Sequence, residues 1–86
     1  METKRVGFVG IIITNRMQNA AKVNEILGEF GDIIVGRIGR PYKERGMNVI
    51  ALIIMDGSTD EIGAMTGKLG MIKGVTVKSA LAKNEE

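Results

Sequence analysis

The stretch GRIGRPYKERGMNVIALIIMD, residues 36–56, sets Arg37, Arg40, Lys43, Arg45 and the chain's only proline between two apolar runs. Cations placed this way suit three tasks: gripping a nucleic acid, holding a small anion, or keeping a greasy edge in solution. Other chemistry is limited by residue type. The chain has no His and no Cys, so the usual ligands of zinc, nickel and copper, the thiolate nucleophile and the disulfide staple are all missing. Only carboxylate oxygens remain for a metal, and they are not clustered along the sequence, so neither metal nor cofactor is expected. The 12 Lys and Arg against 10 Asp and Glu give a net charge of +2. That is too mild to imply general affinity for nucleic acid, and an electrostatic argument must rest on where the charges sit.

The elements that position these charges emerge from a repeat. Shifting the sequence by 42 residues lays LGEFGDIIV (Leu27 to Val35) on LGMIKGVTV (Leu69 to Val77) without a gap. The same offset sets Phe8, Ile11, Ile12 and Ile13 on Ile50, Ile53, Ile54 and Met55. The simplest reading is two copies of one strand–helix–strand unit, roughly residues 5–40 and 47–81, within a single domain over 1–86. Arg5 to Thr14 and Met47 to Asp56 are short and rich in β-branched residues, which predicts strands. Met17 to Leu27 carries Ala20, Val23, Ile26 and Leu27 at helical spacing. The second helix is announced by Ser58-Thr-Asp-Glu61, a capping box, with Ile62, Met65, Leu69 and Ile72 following and Gly70 suited to a left-handed stop. Gly63 and Gly67 weaken that helix by about 1 kcal/mol each relative to Ala, and close packing on the sheet is the expected reason for them.

Strand character suggests the sheet order. Residues 5–14 and 47–56 are apolar on both alternating faces, as central strands covered on two sides would be. Asp32 to Arg40 and Val75 to Leu81 carry polar side chains that suit edges. The order fourth, first, third, second follows, giving an α+β, ferredoxin-like βαββαβ sandwich with an antiparallel four-stranded sheet and both helices on one face. Two helices cover only one face. Four or five aliphatic side chains left wet on the other would forfeit burial on the order of 6–15 kcal/mol, comparable to a small domain's whole stability. Self-association through the helix-free face is therefore expected, as a dimer or tetramer. The six methionines are expected as adaptable packing in core and interface.

In this topology the first strand-to-helix loop, the hairpin Arg40 to Gly46 and the exit of the second helix share one end. Arg16, Arg40, Lys43, Arg45 and Lys73 gather there against Glu44 alone, while Glu29, Asp32, Asp56, Asp60 and Glu61 lie opposite, diluted by Lys4, Arg5 and Lys83. The first helix starts at the basic end, where unpaired N–H groups and the helix dipole favour an anion, and Asn15 is placed to cap it. The candidate effector-binding residues are accordingly Asn15, Arg16, Arg40, Lys43 and Arg45, facing a small anionic or amino-acid-like effector or an acidic protein partner. A solvated hairpin whose charges deter edge aggregation remains the alternative.

Lys4 and Arg5 before VGFVGIII imitate a signal peptide, but the apolar run is short and no small-residue cleavage site follows it. No stretch approaches the roughly 20 apolar residues of a membrane span. With no cysteine, a cytoplasmic location is expected.

The residues LGEFGDIIVGRIGRPYKERGMNVIALIIMDGSTDEIGAMTGKLGMIKGVTVKSAL resemble the small stand-alone ACT-like proteins named as regulators of the iron-only hydrogenase system. YKERG and TDEIGAMTGKLG carry the resemblance most specifically. It implies a ferredoxin-like fold, homo-oligomers, a regulatory role without catalytic residues, and effectors held at subunit interfaces. ACT-like nickel regulators take their metal through His and Cys, which this chain cannot reproduce. They also carry a DNA-binding segment, for which the residues before Arg5 are too few, so regulation is expected to act through another protein. Two alternatives share the fold class. RNA-recognition domains stack bases on sheet aromatics, but Phe8, Phe30 and Tyr42 are the only aromatics here, so direct nucleic-acid binding is not expected. Acylphosphatases pair a loop arginine with an asparagine, roles open to Arg16 and Asn48. The glycine-bounded phosphate loop of that family is missing, however, and there is neither a histidine base nor an activated nucleophile.

Overall fold

The computed structural model describes residues 4–83. The elements run β1 (Lys4–Ile13), α1 (Arg16–Glu29), β2 (Ile34–Tyr42), a 3₁₀ turn (Lys43–Arg45), β3 (Met47–Ser58), α2 (Thr59–Gly70) and β4 (Val75–Leu81). The strands form one sheet in the order β2-β3-β1-β4, which is 4-1-3-2 counted from the other edge, and every neighbouring pair is antiparallel. This is the expected ferredoxin-like βαββαβ sandwich.

Alternation along the central strands decides the layering. Val9, Ile11 and Ile13 of β1 and Ile50, Leu52 and Ile54 of β3 are buried, and they share one core with Val23, Ile26 and Leu27 of α1 and Ile62, Met65 and Leu69 of α2. Both helices therefore cover the same face. Their neighbours in sequence, Phe8, Ile12, Val49, Ile53 and Met55, point away from the helices and remain 40–57% exposed. The two-sided apolar pattern thus comes from strands that carry one buried and one open apolar face.

At the start of α2 the capping box forms: the Ser58 hydroxyl accepts from the Glu61 N–H at 3.0 Å, and the Ser58 N–H donates to Glu61 Oε1 at 3.0 Å. The bond from the Ser58 backbone N–H first, and then the Ser58 side chain, hold the Glu61 carboxyl below its usual range. The other helix end differs from expectation. Gly70 closes α2 without a left-handed conformation, Met71 follows in the right-handed region, and the positive φ falls on Gly74, at 90°.

Three further expectations are corrected. Strand β2 continues past Arg40 through Pro41 to Tyr42, because an edge strand can place a residue without N–H where no ladder bond is needed. The connection to β3 is therefore only the 3₁₀ turn and Gly46, whose N–H donates to Lys43 O at 3.1 Å. Gly63 and Gly67 are not packed against the sheet, for nothing lies within 4 Å of where a Cβ would stand on either. With Gly70 they line an open groove of about 670 Å³ between α2 and β4. The methionines also divide: Met65 is wholly buried and Met55 lies on the open face, whereas Met17 and Met71 are 89% and 87% exposed.

Candidate functional site

Where β1 ends, the chain is tied to the loop before β4. The Thr14 N–H and hydroxyl both donate to Gly74 O, at 2.7 and 2.9 Å. Asn19, one turn into α1, sends its side-chain amide to Thr14 O at 3.0 Å and to Lys73 O at 2.9 Å. One amide group thus clamps two loops far apart in sequence. The clamp needs Gly74, since a Cβ there would lie 2.8 Å from Thr14 Oγ1 and 3.1 Å from Asn19 Nδ2.

Thr14, Asn15, Gln18, Asn19, Lys73 and Gly74 line a cavity of about 370 Å³, at the lower end of the range typical of small-molecule sites. Its polar groups are amides, a hydroxyl and one ammonium, a set able to meet carboxylate, phosphate or amino-acid functions by hydrogen bonding. Asn15 adopts the left-handed conformation, φ 54° and ψ 53°, which asparagine tolerates better than most residues. It stands at the N-cap position of α1, but its side chain does not cap the helix; it donates to Gln18 Oε1 at 2.6 Å. The expected cap is corrected to this side-chain pair. The helix start is also less open than expected, because the Arg16 N–H donates to Gly46 O at 2.9 Å.

That bond seats the β2–β3 turn on the start of α1, bringing Lys43 and Arg45 to the same end of the sheet as Asn15 and Arg16. Arg45 lies with its guanidinium 5.8 Å from the centre of the Tyr42 ring, close enough for a cation–π contact. Arg16 is partly buried, and its Nε and the Oδ1 of Asn48 are buried without hydrogen-bond partners among the described residues. Asn48 stands opposite Ile13, the last residue of β1. Arg40 is placed apart from the others. It pairs with Val49, which shares the helix-free face, so its side chain leaves the sheet on the side away from α1.

The five candidates therefore split between two layers. Sequence reasoning also left out Gln18, Asn19 and Gly74. A signal for the first two was present in TNRMQN, residues 14–19: Asn15, Gln18 and Asn19 are spaced i, i+3, i+4, one face of a helix. Between the helices Lys68 of α2 bridges to Glu29 of α1 at 2.8 Å, an exposed pair that contributes little stability. Among the described residues no group of three or more His, Cys, Asp and Glu is placed to hold a metal ion, and no helix is long and apolar enough to cross a membrane.

An antiparallel sheet in this order with two helices on one face defines a ferredoxin-like fold, the fold class that includes ACT domains. The fold matches the ACT domain from the GTP pyrophosphokinase of Chlorobium tepidum, with a TM-score of 0.74 at 19% identity, over 91% of this chain and 100% of that one. A solution structure of the same domain superposes with a TM-score of 0.67 at 19% identity, over 87% and 84% of the two chains. A fuller match is the uncharacterized protein TM1266 from Thermotoga maritima, with a TM-score of 0.87 and 38% identity over 94% of this chain and 100% of that one. The chain belongs to the TM1266-like family, described as "Iron-only hydrogenase system regulator, putative", which it matches over residues 5–79. No curated protein matches it.

Proposed function

We propose that this chain is a non-enzymatic, cytoplasmic regulatory domain that works as a homo-oligomer and senses a small anionic or amino-acid-like effector. In this proposal it acts on the iron-only hydrogenase system through a protein partner. The observation that carries the sensing role is the cavity lined by Thr14, Asn15, Gln18, Asn19, Lys73 and Gly74. It is polar, of ligand size, and held by a clamp between loops, so an occupant would strengthen contacts that already join α1 to β4. Arg16, Lys43 and Arg45 supply positive charge beside it, and Arg40 supplies it on the adjoining face.

The open sheet face supports the oligomer. Phe8, Ile12, Val49, Ile53 and Met55 are each about half exposed. Covering them would contribute about 4–7 kcal/mol per protomer at 1.5–3 kcal/mol for each fully buried side chain. An isolated protomer with this face wet gives up much of a small domain's stability.

The test is binding. The twenty amino acids, phosphate, sulfate and small dicarboxylates are screened by thermal shift, since a ligand at 100 times its Kd stabilises by about 2.7 kcal/mol. A combined Arg40→Ala, Lys43→Ala, Arg45→Ala variant should fold as wild type, because exposed substitutions change stability by within about 0.5 kcal/mol; Arg16→Ala, at a partly buried residue, is compared with wild type at its own melting temperature. Both should lose the shift. If both keep every ligand, the basic turn serves only solubility.

A second reading rests on Arg16 Nε and Asn48 Oδ1, buried and unpartnered at one end of the sheet, in the residue types an acylphosphate-hydrolysing site would use. An acylphosphate hydrolysis assay separates it from the first: turnover abolished by Asn48→Ala would favour the enzyme, and none would favour the sensor.

A further inference from the structure

We propose that the helix-free face packs on the same face of a second copy in a defined register, the Phe8–Ile53 ridge of each protomer seated in the Gly10–Ala51 trough of the other. This rests on the self-association argued above and adds its geometry.

The strand registers arrange the outward residues in rows across the sheet. One row is Ala80, Phe8, Ile53 and Gly36; the next is Lys78, Gly10, Ala51 and Ile38; the third is Thr76, Ile12, Val49 and Arg40. On the two central strands the middle row holds nothing larger than a methyl group. The rows on either side hold Phe8 (57% exposed) with Ile53 (45%) and Ile12 (40%) with Val49 (49%). The face is thus a trough between two ridges.

Gly10 has no explanation within the protomer. A Cβ on it would make one ordinary contact, 3.9 Å to Lys78 O, whereas a Cβ on Gly7 of the same strand would stand 2.2 Å from Ala80 O. Gly7 answers to the close approach of β4. A glycine inside a central strand weakens it, and such glycines often mark where another backbone or ligand comes close. Here the open side of Gly10 is the trough.

Self-complementarity selects the occupant. A two-fold axis running across the strands between the first and second rows puts Phe8 over the partner's Gly10 and Ile53 over the partner's Ala51, and the same operation makes both contacts reciprocal. That is the defining property of an isologous interface. From Met47 to Met55 and across four strands the face measures about 27 by 19 Å, on the order of 500 Å² in projection. That footprint is smaller than the ~800 Å² of accessible surface per partner in a standard interface, and the ridges and trough add accessible area to it. Lys78 and Arg40 stand on the edge strands and the central strands carry no outward charge between them, the apolar centre and charged rim expected of an interface.

Sedimentation velocity at tens of micromolar tests both levels. Wild type should be oligomeric, and Ile53→Asp should make it a monomer. Gly10→Leu should keep its circular dichroism spectrum, since its side chain enters open space, yet weaken association about 10- to 100-fold by filling the trough. Gly10→Leu with Phe8→Ala should recover association, because the ridge that would collide is gone. A monomeric wild type overturns the assembly and the register together. An oligomer that resists Gly10→Leu but dissociates with Ile53→Asp leaves the face in use and overturns the register. Should Gly10→Leu fail to fold, the cysteine-free chain allows a second measurement: a Phe8→Cys protomer mixed with a Gly10→Cys protomer, treated with a short bis-maleimide. Preferential 8-to-10 crosslinking supports the register, and equal yields of all three pairs refute it.

Discussion

Replacing Gly74 by alanine tests the fold and the site at one residue. Its φ of 90° lies where L-residues pay roughly 1–2 kcal/mol. The new Cβ would stand 2.8 Å from Thr14 Oγ1, and the β-branched threonine has little χ1 freedom to retreat. Moving it breaks the hydroxyl's bond to Gly74 O, a further loss of about 0.5–1.5 kcal/mol. The expected destabilisation is about 1.5–3.5 kcal/mol. A domain of this size loses about 4–8 °C per kcal/mol, so the melting temperature should fall by at least about 6 °C, measured at fixed protein concentration. Gly46→Ala is the control. Gly46 also has a positive φ, 63°, but faces open space, so its substitution should show the backbone contribution alone. Adding Thr14→Ala to Gly74→Ala should regain part of the difference by removing the overlap. If urea unfolding finds Gly74→Ala no worse than Gly46→Ala, the clamp is not a packed contact and the argument for a preformed cavity fails with it.

The same geometry bears on α2. Gly63→Ala and Gly67→Ala should each stabilise by about 1 kcal/mol in chemical unfolding, because both sites are helical with nothing within 4 Å; a loss instead would reveal packing absent from this protomer. Glu61 predicts a pH dependence. Hydrogen bonds from Ser58 lower its folded pKa below the ordinary 4.5, so its contribution is complete above that value and lost as pH falls through the depressed folded pKa. Glu61→Gln should therefore narrow its stability difference from wild type on acidification, and a difference constant from pH 7 to pH 3 would remove the capping carboxylate from the acid response.

Most of the fold was legible because its causes are local. Val9, Ile11 and Ile13 alternate with Phe8 and Ile12 on β1, and Ser58 and Glu61 cap α2 through residues three apart. Such patterns are properties of consecutive residues, and no distant contact is needed to read them. One glycine misled for the complementary reason. Gly70 fits a helix stop by type, yet the left-handed residue is Gly74, because Thr14 and Asn19 occupy the space its side chain would need. That constraint belongs to residues about 60 positions away.

The site was legible only in part, and the division is informative. Of the five expected residues Asn15 alone lines the cavity; a helix start singled out Asn15 and Arg16, and a basic turn Lys43 and Arg45, because both are local signals. Placing Arg40 with them assumed that one end of a sheet is one surface, but an edge strand sends alternate residues to opposite faces. Two residues along β2 from the turn, Arg40 belongs to the open face with Val49. Asn19 shows the converse. In sequence it is one polar residue in a helix, and its importance arises only when Thr14 O and Lys73 O are brought within reach of the same amide. Positive charge and a helix start are therefore insufficient to define a cavity in this fold. What defines it is the closure of the β1–α1 loop onto the loop before β4, with Asn19 as the clasp and Gly74 as the residue that lets it shut.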